Sequence, residues 1–321
     1  MHRATAEVDV RDDERAPWAI PAARLWHGGL VMGVVGWWAL MGLVPASRAH
    51  FLPAAMGDAS LWAFLVPDVL LVALPSLVAW SRLPDRPEEA RWTSWFVLGG
   101  LAYSAVWSLA ASLWTWQAPL GPMVMLPVAF VHAVLSWTLQ PRTRWFREAT
   151  EATTAARLLK TVADAVLFTG VFLVVAAILI RLFEDTYHVP RAAGLPWAPT
   201  LAVVGAMNLG GLVSGFWLVF NGDGTPLPVD TARRLVVVGP YRWVRNPMAA
   251  LGIYQGFVLA LGLGSWLTAL YVLFGATLWH GFVRPIEERD LRERFGPAYE
   301  AYCAEVSLWV PVPPSWRRAR R

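Results

Sequence analysis

Three long stretches of this sequence, residues 92–141, 192–222 and 246–283, hold no Asp, Glu, Lys or Arg. Each exceeds the ~20 apolar residues that a helix needs to cross a bilayer, and a soluble core has no use for charge-free runs of this length. Charged residues make up 16% of the chain, against about 25% in ordinary soluble domains. The pattern predicts an all-α, polytopic membrane helical bundle.

Turn signals divide the runs. Gln117-Ala118-Pro119-Leu120-Gly121-Pro122 splits the first, and Gly262-Leu263-Gly264-Ser265 splits the last into a tight hairpin. About eight transmembrane helices result, near 26–46, 61–80, 93–115, 120–140, 162–182, 198–220, 247–262 and 265–283. The seventh is short for a full crossing. With the N-terminus inside, 24 of the 27 Lys and Arg fall in cytoplasmic segments, and only Arg48, Arg181 and Arg191 fall on the other side. That asymmetry places both termini in the cytoplasm. The expected organisation is a cytoplasmic tail over 1–25, a four-helix membrane region over 26–140, a basic cytoplasmic linker over 141–161, and a second membrane core over 162–321.

Several classes fall away on composition. The chain is basic, with a net charge of +4, but its Arg residues concentrate in loops facing an anionic leaflet, so no nucleic-acid partner is expected. One cysteine, Cys303, excludes an intrachain disulfide and a thiolate metal cluster. The first 25 residues lack the apolar core and cleavage site of a secretory signal. His27, His132 and His280 are isolated in sequence, with no metal-ligand spacing. Asp68, in the middle of the second span, is a candidate for function by its position alone, although a structural role is the simpler reading.

Chemistry concentrates at the two ends of the final hairpin. Asn246 is a strong N-cap, and Pro247 suits the first helical position. A helix should therefore start there, with free backbone N–H groups and a positive dipole end that favours carboxylate or phosphate. Arg242 and Arg245 stand beside it, after the compact run 222–228 and the apolar stretch Leu235 to Val238. The hairpin then returns the chain to the same side at Arg284, Glu287 and Glu288. Two carboxylates, two arginines and a helix N-terminus could clamp a ligand carrying both an ammonium and a carboxylate. The plainer readings are loop anchors, a solvated helix face with pairs such as Glu288 and Arg292, and, for Tyr299 and Tyr302, packing on the membrane surface.

Residues 221–312 resemble the isoprenylcysteine carboxyl methyltransferase and phospholipid methyltransferase superfamily. The resemblance rests on an ordered set: Gly239-Pro240-Tyr241, Arg245-Asn246-Pro247-Met248-Ala249, Glu287-Glu288, Phe295-Gly296-Pro297-Ala298-Tyr299-Glu300-Ala301-Tyr302 and Trp309-Val310-Pro311. It implies an integral membrane methyltransferase that uses S-adenosylmethionine at the cytoplasmic face, in the inner membrane if the source is bacterial. Carried residue by residue, it implies that Leu235, Val236, Gly239, Tyr241, Arg245, Asn246, Pro247, Met248, Glu287 and Glu288 bind the cofactor. It implies also that Arg284 faces the methyl acceptor, a lipid or lipophilic small molecule. Two positions depart from the family pattern: Asn246 stands for a His, which removes titratable acid/base chemistry there, and Ala249 stands for a Tyr, whose ring Tyr254 could replace. Two other classes stay open on sequence, a transporter or receptor built on the first four helices and Asp68, and a sterol-reductase-like enzyme using NADPH.

Overall fold

The computed structural model describes residues 18–139, 153–226 and 230–311. The chain forms two compact units, Met1–Thr143 and Arg144–Arg321. The described residues are overwhelmingly helical and contain no strand element. Seven helices are long and apolar enough to cross a membrane: α1 (Ala19–Leu43), α2 (Ala54–Arg82), α3 (Pro87–Thr115), α4 (Leu120–Thr138), α5 (Thr154–Thr186), α6 (Trp197–Gly222) and α8 (Trp266–Phe295). Between the last two lies α7 (Pro247–Leu263), apolar but shorter, and α9 (Pro297–Glu305) closes the described chain. Large apolar side chains face outward along these helices, among them Leu25, Trp114, Leu270 and Phe282. A protein in water could not leave so much apolar surface uncovered; hydrocarbon covers it here.

In the first unit, α3 and α4 form an antiparallel hairpin, α2 packs on α3, and α1 packs on α2 and α4. Helix α3 starts with Pro87 and two acidic residues in its first turn, which suits the positive end of the helix dipole. The helix ends at Trp116 in the left-handed conformation, at the turn read from the sequence. Val72, Val97 and Leu101 form the middle of the core. Ala23, Ala79, Leu83, Ala90 and Leu139 form one end. Small side chains let the backbones approach, as is usual where packing rather than water exclusion holds helices together. His27 and His132 are not isolated as their sequence positions suggest: they meet across helices. Trp26 Nε1 donates to His132 Nδ1 at 3.0 Å, and the Ser94 hydroxyl lies 3.2 Å from His27 Nε2 and 2.7 Å from the Ser136 hydroxyl. No group of three or more metal-ligating side chains occurs among the described residues.

In the second unit, α5 and α6 pack together, α7 lies along α6, and α7 and α8 form the hairpin. Ser265 caps α8 by accepting from Thr268 N at 2.9 Å, and its hydroxyl donates to the buried Glu184 at the end of α5. A strap between α5 and α6 crosses that end of the hairpin: Ala192 N donates to Gly264 O at 2.9 Å, and Leu195 N to Leu261 O at 3.1 Å. The strap lies so close that a Cβ on Gly264 would come 2.1 Å from the Ala192 carbonyl oxygen.

Element boundaries differ from the sequence reading at three places. Helix α1 begins at Ala19, inside the stretch expected as a tail, and α5 begins at Thr154, inside the expected linker; residues 1–17 and 140–152 lie outside the described residues. Helix α8 runs unbroken past Pro285 to Phe295. Its π-helical turn Trp279–Val283 immediately precedes that proline. The wider turn makes room for a ring that would clash with the carbonyl one turn back in a regular helix. Arg284 Nε donates to the His280 carbonyl at 3.2 Å in the same turn.

Candidate functional site

The hairpin brings both ends of its charge-free span together. Asn246 caps α7 as its residue type dictates, accepting from Ala249 N at 3.0 Å, while its amide nitrogen donates to Glu287 Oε2 at 3.4 Å. Arg245 Nη1 donates to Glu288 Oε1 at 3.0 Å. Glu288 is buried and is also met by Arg292 Nη2 at 3.2 Å and Arg284 Nη1 at 3.6 Å. One carboxylate thus ties three guanidinium groups, two of them one turn away on its own helix.

The connection from α6 is folded rather than extended. Asp223 ends α6 in the left-handed conformation, pairing with Arg234 at 2.6 Å and Arg157 at 3.4 Å. Lys160 of α5 holds Asp230 at 2.7 Å, and Arg294 of α8 donates to the Ala232 carbonyl at 2.7 Å while pairing with Asp290. The chain then enters the tight 3-10 turn Gly239–Arg242. Gly239 takes φ +59°, and a Cβ there would lie 2.6 Å from the Trp217 indole. Both the left-handed backbone and the ring require glycine.

Tyr299 and Tyr302 are not on a membrane surface. Both are buried, packed with Val306 against Leu235, Leu291 and Phe295, and the Tyr302 hydroxyl donates to the Tyr241 carbonyl at 2.7 Å. A sequence periodicity argument sees only an amphipathic segment. The partner surface comes from a loop some sixty residues earlier and was invisible to it. Tyr241 itself is buried, and its hydroxyl has no hydrogen-bond partner. Burial first, then the neighbouring Tyr302 and Glu287, holds that hydroxyl well above the usual phenol range. It is therefore a neutral donor at any ordinary pH, left unpaired at a cost of about 1–3 kcal/mol. Arg245 Nε is buried and unpartnered beside it.

Both side chains line a cavity of about 100 Å³. Leu235, Val236, Tyr241, Arg245, Asn246, Met248 and Glu287 line it, as does Tyr299, together with residues that the sequence did not single out, notably Thr231, Asp290 and Arg294. Gly239, Pro247, Glu288 and Arg284 do not. Gly239 shapes the turn, and Pro247 is buried at the helix start. Glu288 stands behind Arg245, and Arg284 pairs with Glu288. Tyr254 does not replace the missing ring of Ala249: its hydroxyl donates to the Trp309 carbonyl at 2.9 Å, away from the cavity. His280 stacks on Trp309 and accepts from its indole nitrogen at 3.3 Å.

The lining is apolar on one wall and carries both charge signs on the other. It fits a molecule with an aromatic or alkyl part together with ammonium, sulfonium or carboxylate groups. Small-molecule pockets commonly span ~300–1,000 Å³, so the cavity described here has to widen before a nucleoside-sized molecule enters.

Residues 212–298 match the phospholipid methyltransferase family. The chain is also 40% identical over 81 residues to methanethiol S-methyltransferase 1 of Bradyrhizobium diazoefficiens. That alignment covers 25% of this chain and 25% of the relative, so the likeness concerns the second unit alone. No solved structure matches. The matched stretch holds the end of α6, the loop after it, α7 and α8, which build most of the cavity; Tyr299 and Tyr302 of α9 lie just beyond it.

Proposed function

We propose that the second unit transfers a methyl group from S-adenosylmethionine to a lipid or lipophilic small molecule within the membrane. One observation carries the reading: a cavity with two unpartnered buried donors, Tyr241 Oη and Arg245 Nε, lies at the junction of the matched elements. Native proteins rarely leave such groups unsatisfied without a ligand or water to take them up.

Leu235, Val236 and Met248 receive the apolar part of the donor, and Asn246 and the positive dipole end of α7 meet its carboxylate. Glu287 and Asp290 oppose its positive charge. Arg245, held by Glu288, supplies a fixed guanidinium, and Arg284, at the end of the apolar span, meets the acceptor. When bound, the donor would supply a methyl group on a sulfonium: an acceptor lone pair would bond to that carbon as its bond to sulfur breaks, with S-adenosylhomocysteine leaving as the neutral thioether. The protein contributes alignment and water exclusion. Asn246 cannot itself serve as a general base, which suits an acceptor whose lone pair is already available, such as a thiolate, carboxylate or amine. The basic loops support a cytoplasmic position for this end of the hairpin.

A small thiol is a second reading of the acceptor, favoured by the name of the relative. Purified full-length chain is incubated with methyl-labelled S-adenosylmethionine and either a membrane lipid extract or methanethiol. Label in the organic lipid phase supports the first reading, and labelled dimethyl sulfide supports the second. Donor binding absent by calorimetry in detergent overturns both.

A further inference from the structure

The first unit contains a cavity of its own, larger than the one in the second unit. It has a volume of about 640 Å³ and is lined by α1, α2, α3 and α4 together with Phe51 and Leu52 of the connection between the first two. Aromatic rings form much of its wall. Trp37 and Phe51 meet edge to face with centroids 4.7 Å apart, and Phe64 and Trp107 lie 4.5 Å apart. Asp68 also lines it, and among the described residues Asp68 is the only ionisable side chain that does.

Asp68 lies midway along the apolar span of α2 and begins the π-helical turn Asp68–Ala73. Such bulges are rare and concentrate at functional sites. Trp38 Nε1 donates to Oδ2 at 3.1 Å, and the other oxygen has no hydrogen-bond partner among the described residues. Among those residues no Lys, Arg or His pairs with it. Arg48, the cation of the neighbouring turn, is committed to Asp58 and to the Met41 carbonyl. An intramembrane carboxylate without an internal partner commonly serves as the counter-ion of something that enters. Aromatic faces favour the same sign of charge through their quadrupoles.

We propose that this cavity binds a lipophilic organic cation, an alkyl or aryl ammonium whose apolar body fills the aromatic chamber and whose charge pairs with Asp68. Apolar walls without a charge would suit any acyl chain. A lone carboxylate among indole and phenyl rings selects the cationic head and makes the neutral analogue a poor substitute. The size fits a molecule of drug or short-chain lipid dimensions.

The test uses the full chain purified in dodecyl maltoside and equilibrium dialysis with radiolabelled tetraphenylphosphonium. Saturable binding is expected, displaced by dodecyltrimethylammonium and at least roughly tenfold more weakly by dodecanol. Asp68→Asn preserves the shape and a carbonyl for Trp38 and removes the charge; it should weaken binding by roughly tenfold or more. Trp107→Leu keeps the charge, removes one ring, and should weaken binding by a smaller factor. Equal displacement by dodecanol overturns the proposal on the unmodified protein alone, whatever the variants do. Unchanged affinity in a folded Asp68→Asn protein overturns it equally.

Discussion

Glu288 controls the proposed donor site without lining it, and that separation has a measurable signature. Its carboxylate is buried and holds Arg245, whose side chain is 18% exposed, at 3.0 Å. Removing one member of a buried pair costs about 3–5 kcal/mol when the other is left stranded. Two features reduce that here: Arg292 is 43% exposed and can rehydrate, and Arg284 lies at the longer distance of 3.6 Å. We expect Glu288→Ala to lower stability by about 3 kcal/mol, near the bottom of that range. Arg245→Ala removes a charge-assisted contact to the donor of about 2 kcal/mol, which is roughly 30-fold in Kd. If Glu288 acts by holding Arg245 in place, Glu288→Ala costs a similar factor. The double variant then binds no worse than Arg245→Ala, a coupling of about 2 kcal/mol within the range for contacting residues. Calorimetric titration with S-adenosylmethionine reads affinity, and thermal unfolding of the same samples reads stability; Glu288→Gln, nearly isosteric, keeps the comparison available should the alanine variant unfold. Additive losses in the double variant would refute the argument, because they require Glu288 to contact the donor independently.

Other perturbations test the frame around the site. Gly239→Ala forces a left-handed backbone costing about 1–2 kcal/mol and pushes a methyl into Trp217, so both melting temperature and donor affinity should fall; a neutral result in thermal unfolding contradicts the turn geometry. Asn246→Ala should lose about 1 kcal/mol of capping together with the amide contact to Glu287. Asn246→Asp keeps the cap but sets two carboxylates face to face, so donor binding should suffer more in Asp than stability does, and the opposite order in calorimetry and unfolding rejects the Asn246–Glu287 contact. Gly264→Ala drives a methyl into the Ala192 carbonyl and should destabilise more than Gly239→Ala, as read by the temperature at which the detergent-solubilised protein loses monodispersity.

The membrane bundle was legible because its signal is absence: no charge over spans long enough to cross, and turn residues between them. The meeting of Arg245 and Asn246 with Glu287 and Glu288 was legible for a topological reason, since a hairpin must bring its two ends back to one side. What stayed hidden depends on partners distant in the chain. Nothing near Glu184 announces Ser265, and nothing near Tyr299 and Tyr302 announces Leu235. Asp290, Arg294 and Thr231 looked like ordinary surface residues because a cavity wall assembled from three segments leaves no local pattern. Histidines 27 and 132 were read as solitary for the same reason. Tyr254 failed as a substitute ring because helical spacing fixes only its face, while the Trp309 carbonyl fixes its hydroxyl. The eighth span was ended at 283 because the charge-free run stops there, and charge alone does not end a helix that emerges from the bilayer.

The brevity of α7 bears on how a greasy acceptor reaches a charged centre. Its 17 residues rise about 26 Å, a few ångströms less than the ~30 Å of hydrocarbon. The strap across Leu261 and Gly264 plugs the shortfall at one extremity, so the deficit is felt at the other, beneath Asn246. Lipid thins locally around such a mismatch, drawing the headgroup layer down to the first turn of the helix. The lipophilic acceptor proposed above would then arrive sideways from among the acyl tails, and no part of it would have to climb out into water before it reacts.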